Sequence, residues 1–344
     1  MGVSSNKNNK LKEKYKDINN IRNLTNKCKS FTDSIEIIKY INCGSYGVVY
    51  EGHHRKNPNK KFALKFLYEQ KLKKNKSENR TDKEIKFQQQ LKHKNITSLN
   101  AVYDSNTFSC IVMELAKYGD LENFQKKLLE KKTLNETFLA YLTIQVLDGL
   151  YYCYKSKIIH MDIKPQNILI DENLNIKLTD LSVSFSYKDL PENESINLPI
   201  AGTSMFISPE ILNKKFIYPK DFHKIDFYSL GVVLYFLAFN IYPYGLNNND
   251  KKNFTIIKEK IKNNKYEIPN NYYFSFSKYF YDFLRNLLEK DIEKRINFEQ
   301  AKKHPWIKFS KIILNEKEKI NDREKFLIML INDDIFSFNE AIYS

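Results

Sequence analysis

Short apolar runs crowd the first third of the chain and long ones fill the rest. Ile35-Glu36-Ile37-Ile38-Lys39-Tyr40-Ile41, a glycine-containing turn and Val48-Val49-Tyr50 predict two strands joined by a tight loop, and residues 61–67 predict a third. Residues 82–92 have helical spacing, with Ile85, Gln88 and Leu91 on one side, and Cys110-Ile111-Val112-Met113-Glu114 predicts another buried strand. Farther on, residues 135–155 and 226–239 predict long apolar helices, followed by helices near 277–290 and 297–303. Strands first and helices afterwards predict an α+β fold in two lobes. Residues 1–33, rich in Asn and Lys with no sustained apolar period, predict a flexible basic N-terminal extension. The lobes are then expected over 34–114 and 115–310. Residues 311–344 form a C-terminal extension, in which Phe326-Leu327-Ile328-Met329-Leu330-Ile331 predicts a docked helix.

Composition narrows the class. A chain of 344 residues has room for one or two domains with a sizeable core, and 42% apolar residues exclude a wholly disordered chain. The four cysteines, Cys28, Cys43, Cys110 and Cys153, are scattered without a C-x-x-C pair, which points to a reducing intracellular setting. The longest apolar run, Leu230 to Phe239, falls short of the roughly 20 residues a membrane span needs, so a cytoplasmic protein is expected. The net charge of +15 is concentrated: residues 1–33 hold eight Lys/Arg against three acids, and residues 60–94 hold twelve against four. No nucleic-acid-binding module accompanies the charge, so no specific nucleic-acid partner is expected. Solvated lysine-rich surface and attraction to an acidic partner or membrane both account for it.

Phosphoryl transfer asks for a cradle for phosphates, cations to neutralise them and a carboxylate to orient the attacking hydroxyl. Asn42-Cys43-Gly44-Ser45-Tyr46-Gly47-Val48-Val49 lies between two predicted strands, where backbone free of side chains can donate N–H groups to phosphate; a plain glycine hairpin reads the same way. Lys65 sits in an apolar strand, where an ammonium is costly unless paired, and Glu84 on the following helix offers a partner; a lysine turned to solvent is the alternative. The most telling segment is Ile158-Ile159-His160-Met161-Asp162-Ile163-Lys164-Pro165-Gln166-Asn167-Ile168-Leu169-Ile170, followed by Lys177-Leu178-Thr179-Asp180-Leu181-Ser182. Asp162 can accept a hydrogen bond from a substrate hydroxyl, Lys164 can steady a phosphoryl group, and Asn167 and Asp180 offer hard oxygen ligands.

With these segments the chain resembles the eukaryotic protein kinase family, and the resemblance runs from about Ser34 to Phe309. Ala201-Gly202-Thr203 leading to Ser208-Pro209-Glu210 is similar to the end of a kinase activation segment, and Asp226-Phe227-Tyr228-Ser229-Leu230-Gly231 to the start of the family's central helix. Arg295 matches the arginine that pairs with the glutamate at 210. The resemblance implies a bilobal kinase fold and ATP-dependent transfer to serine or threonine of protein substrates, with magnesium, or manganese in its place. It implies catalytic roles for Asp162, Lys164, Lys65 and Glu84, and metal binding by Asn167 and Asp180. Asn42, Gly44, Gly47, Val49, Ala63, Lys65, Met113, Glu114, Ala116, Asp120 and Leu169 are the implied nucleotide-binding set, with Glu114–Ala116 as the hinge. A scaffold that binds nucleotide without catalysis is the competing reading.

Four departures from the family pattern stand out. Asn42 replaces the loop's first glycine, Leu181-Ser182 replaces Phe-Gly, Met161 replaces an arginine that binds activation-segment phosphate, and Gln88 replaces an apolar residue. Asn tolerates the positive φ a glycine turn needs. Pro199 and Ile200 occupy the usual phosphate-acceptor positions, with Ser195 the nearest alternative, so activity is expected not to depend on an activation-segment phosphate. Of the three usual arginine-selecting positions only Asp120 is acidic, with Gln166 and Phe236 at the others, which predicts a neutral or acidic substrate surface rather than an arginine-directed one. Met1-Gly2-Val3-Ser4-Ser5-Asn6-Lys7 approximates an acylation signal, so Gly2 myristoylation with the nearby lysines would give peripheral membrane association.

Overall fold

The computed structural model describes residues 15–26, 28–43, 47–67, 80–105, 108–130, 135–268 and 276–319. Gly44, the Gly2 acylation signal and the 326–331 run lie outside them. The described residues fall into two compact units, one formed by those up to Lys92 and by 97–117, the other by 93–96 and those from Tyr118 on.

In the first unit, helices α1 (Ile18–Thr25) and α2 (Lys29–Ser34) precede strands β1 (Ile35–Cys43), β2 (Gly47–His54) and β3 (Asn57–Leu67). Helix α3 (Arg80–Gln90) and strands β4 (Leu99–Asp104) and β5 (Ser109–Glu114) complete it. The sheet is antiparallel throughout, in the order β1-β2-β3-β5-β4. Because side chains alternate across a strand, the sheet has two unlike faces. One collects Val48, Tyr50, Phe62, Leu64, Phe66, Cys110 and Val112. The other gathers Leu67, Ile111 and Met113, with Ala63 and with Ile85 of α3 packed against them.

The first face corrects the expectation of a flexible arm through residue 33. Tyr15, Ile21 and Phe31 are buried against it, and the Phe31 ring meets Phe66, Tyr103 and Phe108 edge-on at 5.8, 5.1 and 5.7 Å. The Tyr50 hydroxyl donates to the Tyr15 carbonyl at 2.5 Å, and Arg22 donates to the Ile37 carbonyl at 2.9 Å. Asp17 starts α1 by accepting from the Asn19 N–H. A face of aromatic and branched residues left uncovered would expose a large apolar patch, and these short helices remove it from water.

The second unit opens with β6 (Gly119–Asp120) and helices α4 (Leu121–Glu130) and α5 (Glu136–Lys155), followed by strands β7 (Ile158–Ile159), β8 (Ile168–Ile170), β9 (Ile176–Leu178), β10 (Phe185–Ser186) and β11 (Ile196–Asn197). Next come α6 (Pro209–Leu212), β12 (Phe216–Ile217), α7 (His223–Phe239), α8 (Phe254–Asn263), α9 (Lys278–Leu287), α10 (Phe298–Lys303) and α11 (Pro305–Lys319). Helix α7 is apolar nearly all round because it is buried nearly all round. Helix starts carry side-chain caps where the sequence offers them: Asn135, Asn253, Ser277 and Asn297 accept from the N–H groups of Phe138, Ile256, Phe280 and Gln300. The buried Glu136 carboxylate joins α5, α9 and α11 by accepting from Ser277 N and Oγ at 2.6 Å each and from Trp306 Nε1 at 2.7 Å.

The unit boundary falls at 117/118 rather than 114/115, and residues 93–96 group with the second unit. The reason is polar: Asn95 donates to the Gln145 side chain and the Ile176 carbonyl and accepts from Leu178 N. Helix α11 runs across the expected 310/311 boundary, because Trp306, Ile307 and Ser310 are buried.

Candidate active site

Val49, Ala63, Lys65 and Met113 lie on the α3 face of the sheet, whereas Glu114 pairs with Phe62 on the other face and Ala116 follows β5. Val49 pairs with Lys65, Lys65 with Ile111, and Ala63 with Met113, so the lysine stands among apolar neighbours. Its ammonium meets the Glu84 carboxylate at 2.5 Å, with the two side chains 12% and 2% exposed. This is the paired alternative rather than the solvent-directed one, and a lysine in such surroundings requires it. Gly47 is dictated by strand spacing: a Cβ there would collide with the Phe66 carbonyl. Asn42 does not use the positive φ expected of it; it remains extended in β1, paired with Val49, and its side chain accepts from Cys43 N at 2.8 Å. The Glu114 carboxylate accepts from Ser98 N at 2.7 Å, and Ala116 is half-buried.

Gln88, the polar residue at an apolar position of the family pattern, is enclosed. It is buried, and its amide nitrogen donates to the Thr97 carbonyl at 2.9 Å and approaches the Met113 sulfur at 3.5 Å. Helix α3 is therefore anchored to the sheet by a polar group where the family pattern uses an apolar one.

In the second unit, residues from distant segments converge on one carboxylate. Asp162 Oδ1 accepts from Thr203 N at 2.7 Å, and Oδ2 accepts from Lys164 Nζ at 2.7 Å and Asn167 Nδ2 at 2.9 Å. Lys164 also donates to Thr203 Oγ1 at 2.7 Å, and Asn167 Nδ2 to the Asp162 carbonyl at 2.8 Å. Four residues thus lock one another, and the carboxylate plane is fixed from both edges.

The backbone beneath is held as firmly. Asp226, in the first turn of α7, accepts from His160 N and Met161 N at 2.8 Å each. Enclosure raises the Asp226 carboxyl pKa above its ordinary value, and the interactions with His160 and Met161 pull against that rise. His160 reaches the Thr179 carbonyl through Nε2 at 3.0 Å, and Ser184 Oγ donates to the His160 carbonyl at 3.0 Å. Met161 takes a left-handed φ of 65° and is buried, and a Cβ on Gly202, itself at φ 91°, would strike its carbonyl. The sequence marked Asp226 only as a helix start and gave no sign that it clamps this loop; its signal was a lone carboxylate opening an otherwise apolar helix.

Asn167 and Asp180 flank one end of the β8–β9 hairpin, where Ile168 pairs with Leu178 and Thr179 N donates to the Asn167 carbonyl at 3.0 Å. Since the Asn167 amide nitrogen is committed to Asp162, its oxygen is the end available as a ligand. An amide oxygen with a carboxylate is a hard-oxygen donor set that fits magnesium. Leu169 pairs with Asp120, which caps α4 through Asn123: Oδ1 accepts from its N–H at 2.9 Å and Oδ2 from its side chain at 2.8 Å. Next to it, Glu122 accepts from the Gln166 amide at 2.6 Å and lies 3.6 Å from the Lys126 ammonium. Arg295 and Glu210 form a two-pronged pair at 2.7 and 2.9 Å.

Comparison with known proteins agrees with this geometry. The family pattern described as protein kinase domain matches residues 35–307. Human death-associated protein kinase 2 is 29% identical over 282 residues, covering 80% of this chain and 72% of that protein. The mouse protein of the same name is 29% identical over 290 residues, covering 82% and 74%. The Arabidopsis thaliana SNF1-related protein kinase catalytic subunit alpha KIN12 is 29% identical over 282 residues, covering 82% of this chain and 53% of that protein. With the catalytic-loop geometry in place and the match spanning most of its length, the chain belongs to the eukaryotic protein kinase family and is an ATP-dependent protein serine/threonine kinase.

Proposed function

We propose that Asp162 orients the substrate serine or threonine hydroxyl, and that the kinase works without a phosphate on its activation segment. The supporting observation is the fixed Asp162 carboxylate, held by Thr203, Lys164 and Asn167. As the hydroxyl oxygen bonds to the γ-phosphorus, the bond to the β,γ-bridging oxygen breaks, ADP departs and Asp162 takes the hydroxyl proton. Lys164 donates to the transferring group and Lys65, held by Glu84, to the nucleotide phosphates. Asn167 and Asp180 would hold magnesium, which when bound would neutralise charge on the phosphate oxygens.

Independence from phosphorylation rests on how the segment between Leu181 and Glu210 is held. Its β10 pairs with β7, its β11 pairs with β12, and Leu198 is buried. Asn197 donates to the Lys214 carbonyl at 2.6 Å, and Lys157 reaches Glu192 at 3.1 Å. Neutral contacts and one exposed ion pair thus do the ordering for which other members use phosphate, and Met161 brings no cation to bind one. A neutral or acidic substrate is favoured because Asp120 and Glu122 are already engaged as hydrogen-bond acceptors.

The test is incorporation of labelled γ-phosphate into a protein mixture by phosphatase-treated enzyme, with Asp162→Asn as blank. Wild type is expected to exceed the blank by about 10²–10⁴, the usual contribution of a positioned acid–base group. A phosphatase-treated enzyme that drops to the level of the blank, while the untreated enzyme is active, would remove the independence claim and leave the kinase reading intact.

A further inference from the structure

One basic surface of the second unit has no task in this chemistry. A pocket of about 200 Å³ opens beside α6 and α8, lined by Lys215, Lys258, Lys262 and Lys290 around an apolar floor that includes Leu212 and Ile261. No carboxylate lines it. Among the described residues, none of the four lysines forms an ion pair, whereas Lys260 between two of them on α8 is paired with Asp250 at 2.8 Å. Lys258 and Lys262 are four residues apart on one helix face, a like-charge spacing that weakens a helix.

The negative end of α8 accounts in part for Lys262 and Lys290, but not for Lys258, a turn earlier on the helix, or for Lys215 after α6. Lys290 is half-buried, donating to the Asn264 carbonyl at 2.8 Å with its ammonium 5.0 Å from the Tyr244 ring centre. Burial holds its pKa below the usual lysine value. An arriving anion offsets both the mutual repulsion and the desolvation cost.

We propose that this pocket docks an acidic segment of the protein substrate, its anionic side chains on the lysines and an apolar side chain on Leu212 and Ile261. The proposal rests on the kinase reading and deepens it, since it places the acidic preference away from the phosphorylated hydroxyl. Charge complementarity selects an anion, and the enclosed apolar floor selects a peptide side chain over a bare ion. The chain gives the reach: Pro209, which borders the pocket, is six residues beyond Thr203, which bonds Asp162. Those two Cα atoms are at most about 22 Å apart, so a linker of about ten residues between acidic segment and acceptor spans the distance with slack.

The experiment compares a short acceptor peptide with the same peptide joined through ten Gly/Asn residues to Glu-Glu-Leu-Glu-Glu, and with a version carrying phosphoserine in place of the central glutamates. Wild type is expected to show a KM at least tenfold lower for a tethered peptide at unchanged kcat, with the advantage shrinking between 50 and 200 mM salt. Lys258→Glu with Lys262→Glu should abolish the advantage, Lys258→Arg with Lys262→Arg should keep it, and the short peptide should behave alike in all three. An advantage confined to the phosphoserine peptide assigns phosphate rather than carboxylate as the anion. Equal KM values in wild type, or an advantage that survives charge reversal, overturn the proposal. So does binding to phosphatidylserine vesicles or RNA that is lost in the reversed variant without any peptide preference. If no peptide is phosphorylated, the kinase reading fails, and docking is then judged by anisotropy of a labelled Glu-Glu-Leu-Glu-Glu peptide: binding lost on charge reversal upholds it, and absence of binding overturns it.

Discussion

The Lys65–Glu84 pair of the first unit and the Arg295–Glu210 pair of the second both lie buried, and they are built differently. Arg295 and Glu210 are 0% and 1% exposed. The guanidinium fork takes both Glu210 oxygens and two backbone carbonyls, Lys224 and Glu289, while it lies over the Tyr228 ring at 5.0 Å. That pair fastens α6 to the start of α7 and to the loop after α9. The Lys65–Glu84 pair links one helix to one strand through an ammonium, a point charge with no fixed fork. Glu84 sits on a helix whose outer positions, Asp82, Lys86, Gln89 and Gln90, are exposed. The same charge chemistry thus serves a joint that stays closed in one unit and, in the other, a lysine whose work is directed at a substrate.

If that contrast is right, function and stability should respond oppositely. Lys65→Met is expected to reduce kcat/KM by about 10²–10³, the loss that follows removal of one preorganised donor. Its stability cost should stay below the roughly 3–5 kcal/mol of cutting the Arg295 pair, because the ammonium lacks the guanidinium's fixed fork with its four hydrogen bonds. Arg295→Ala touches no reacting group yet should destabilise the second unit by that whole amount, about 3–5 kcal/mol. Denaturant titration alongside steady-state kinetics reads both. Equal stability losses for the two variants would break the comparison.

What was readable in the chain follows the same line. The catalytic loop was legible because its chemistry is written in contiguous segments, and Asp162, Lys164 and Asn167 indeed meet one another. Lys65 with Glu84 was legible because an apolar strand makes a lone lysine conspicuous. The N-terminal helices were not, since Tyr15, Ile21 and Phe31 are single apolar residues in polar surroundings and acquire meaning only opposite a sheet face. Strand β4 was missed for a related reason: its positions are half-buried or exposed, so its apolar signal is weak. Asp226 escaped because its partners are backbone N–H groups, which leave no trace in side-chain spacing. The lysine pocket shows only when residues 215, 258, 262 and 290 come together in three dimensions.

A third way of handling buried charge sharpens the contrast further. His223, first residue of α7, is stacked on Phe298 at 4.8 Å and lies against Tyr154 at 4.8 Å. Burial depresses its pKa from 6.5 to about 4, aided by the neighbouring Lys224 charge and opposed by Asp221. The folded state therefore binds the proton less readily than the unfolded chain. The stability this represents is complete above about pH 6.5 and lost as the pH falls toward 4, with a ceiling of about 3 kcal/mol. Urea titrations between pH 7 and 4 should show that decline in wild type and a shallower one in His223→Phe; parallel curves would mean that His223 is not the group responsible.

The smallest effect belongs to Gln88, the second anchor of α3. Its amide nitrogen satisfies the Thr97 carbonyl, while its buried Oε1 has no partner among the described residues. Leucine would fill the same space, removing an unsatisfied acceptor and also a donor. Two desolvation terms of about 1–3 kcal/mol then oppose each other, so Gln88→Leu should stay within about 1 kcal/mol of wild type in stability. Gln88→Ala leaves the same carbonyl unpaired and adds a cavity, and should cost visibly more. If the helix is positioned by the Lys65–Glu84 contact, kcat is unchanged in Gln88→Leu. A fall in kcat at unchanged stability would instead make the amide a positioning residue, and the first unit would then depend on two polar anchors where the second relies on an enclosed ion pair.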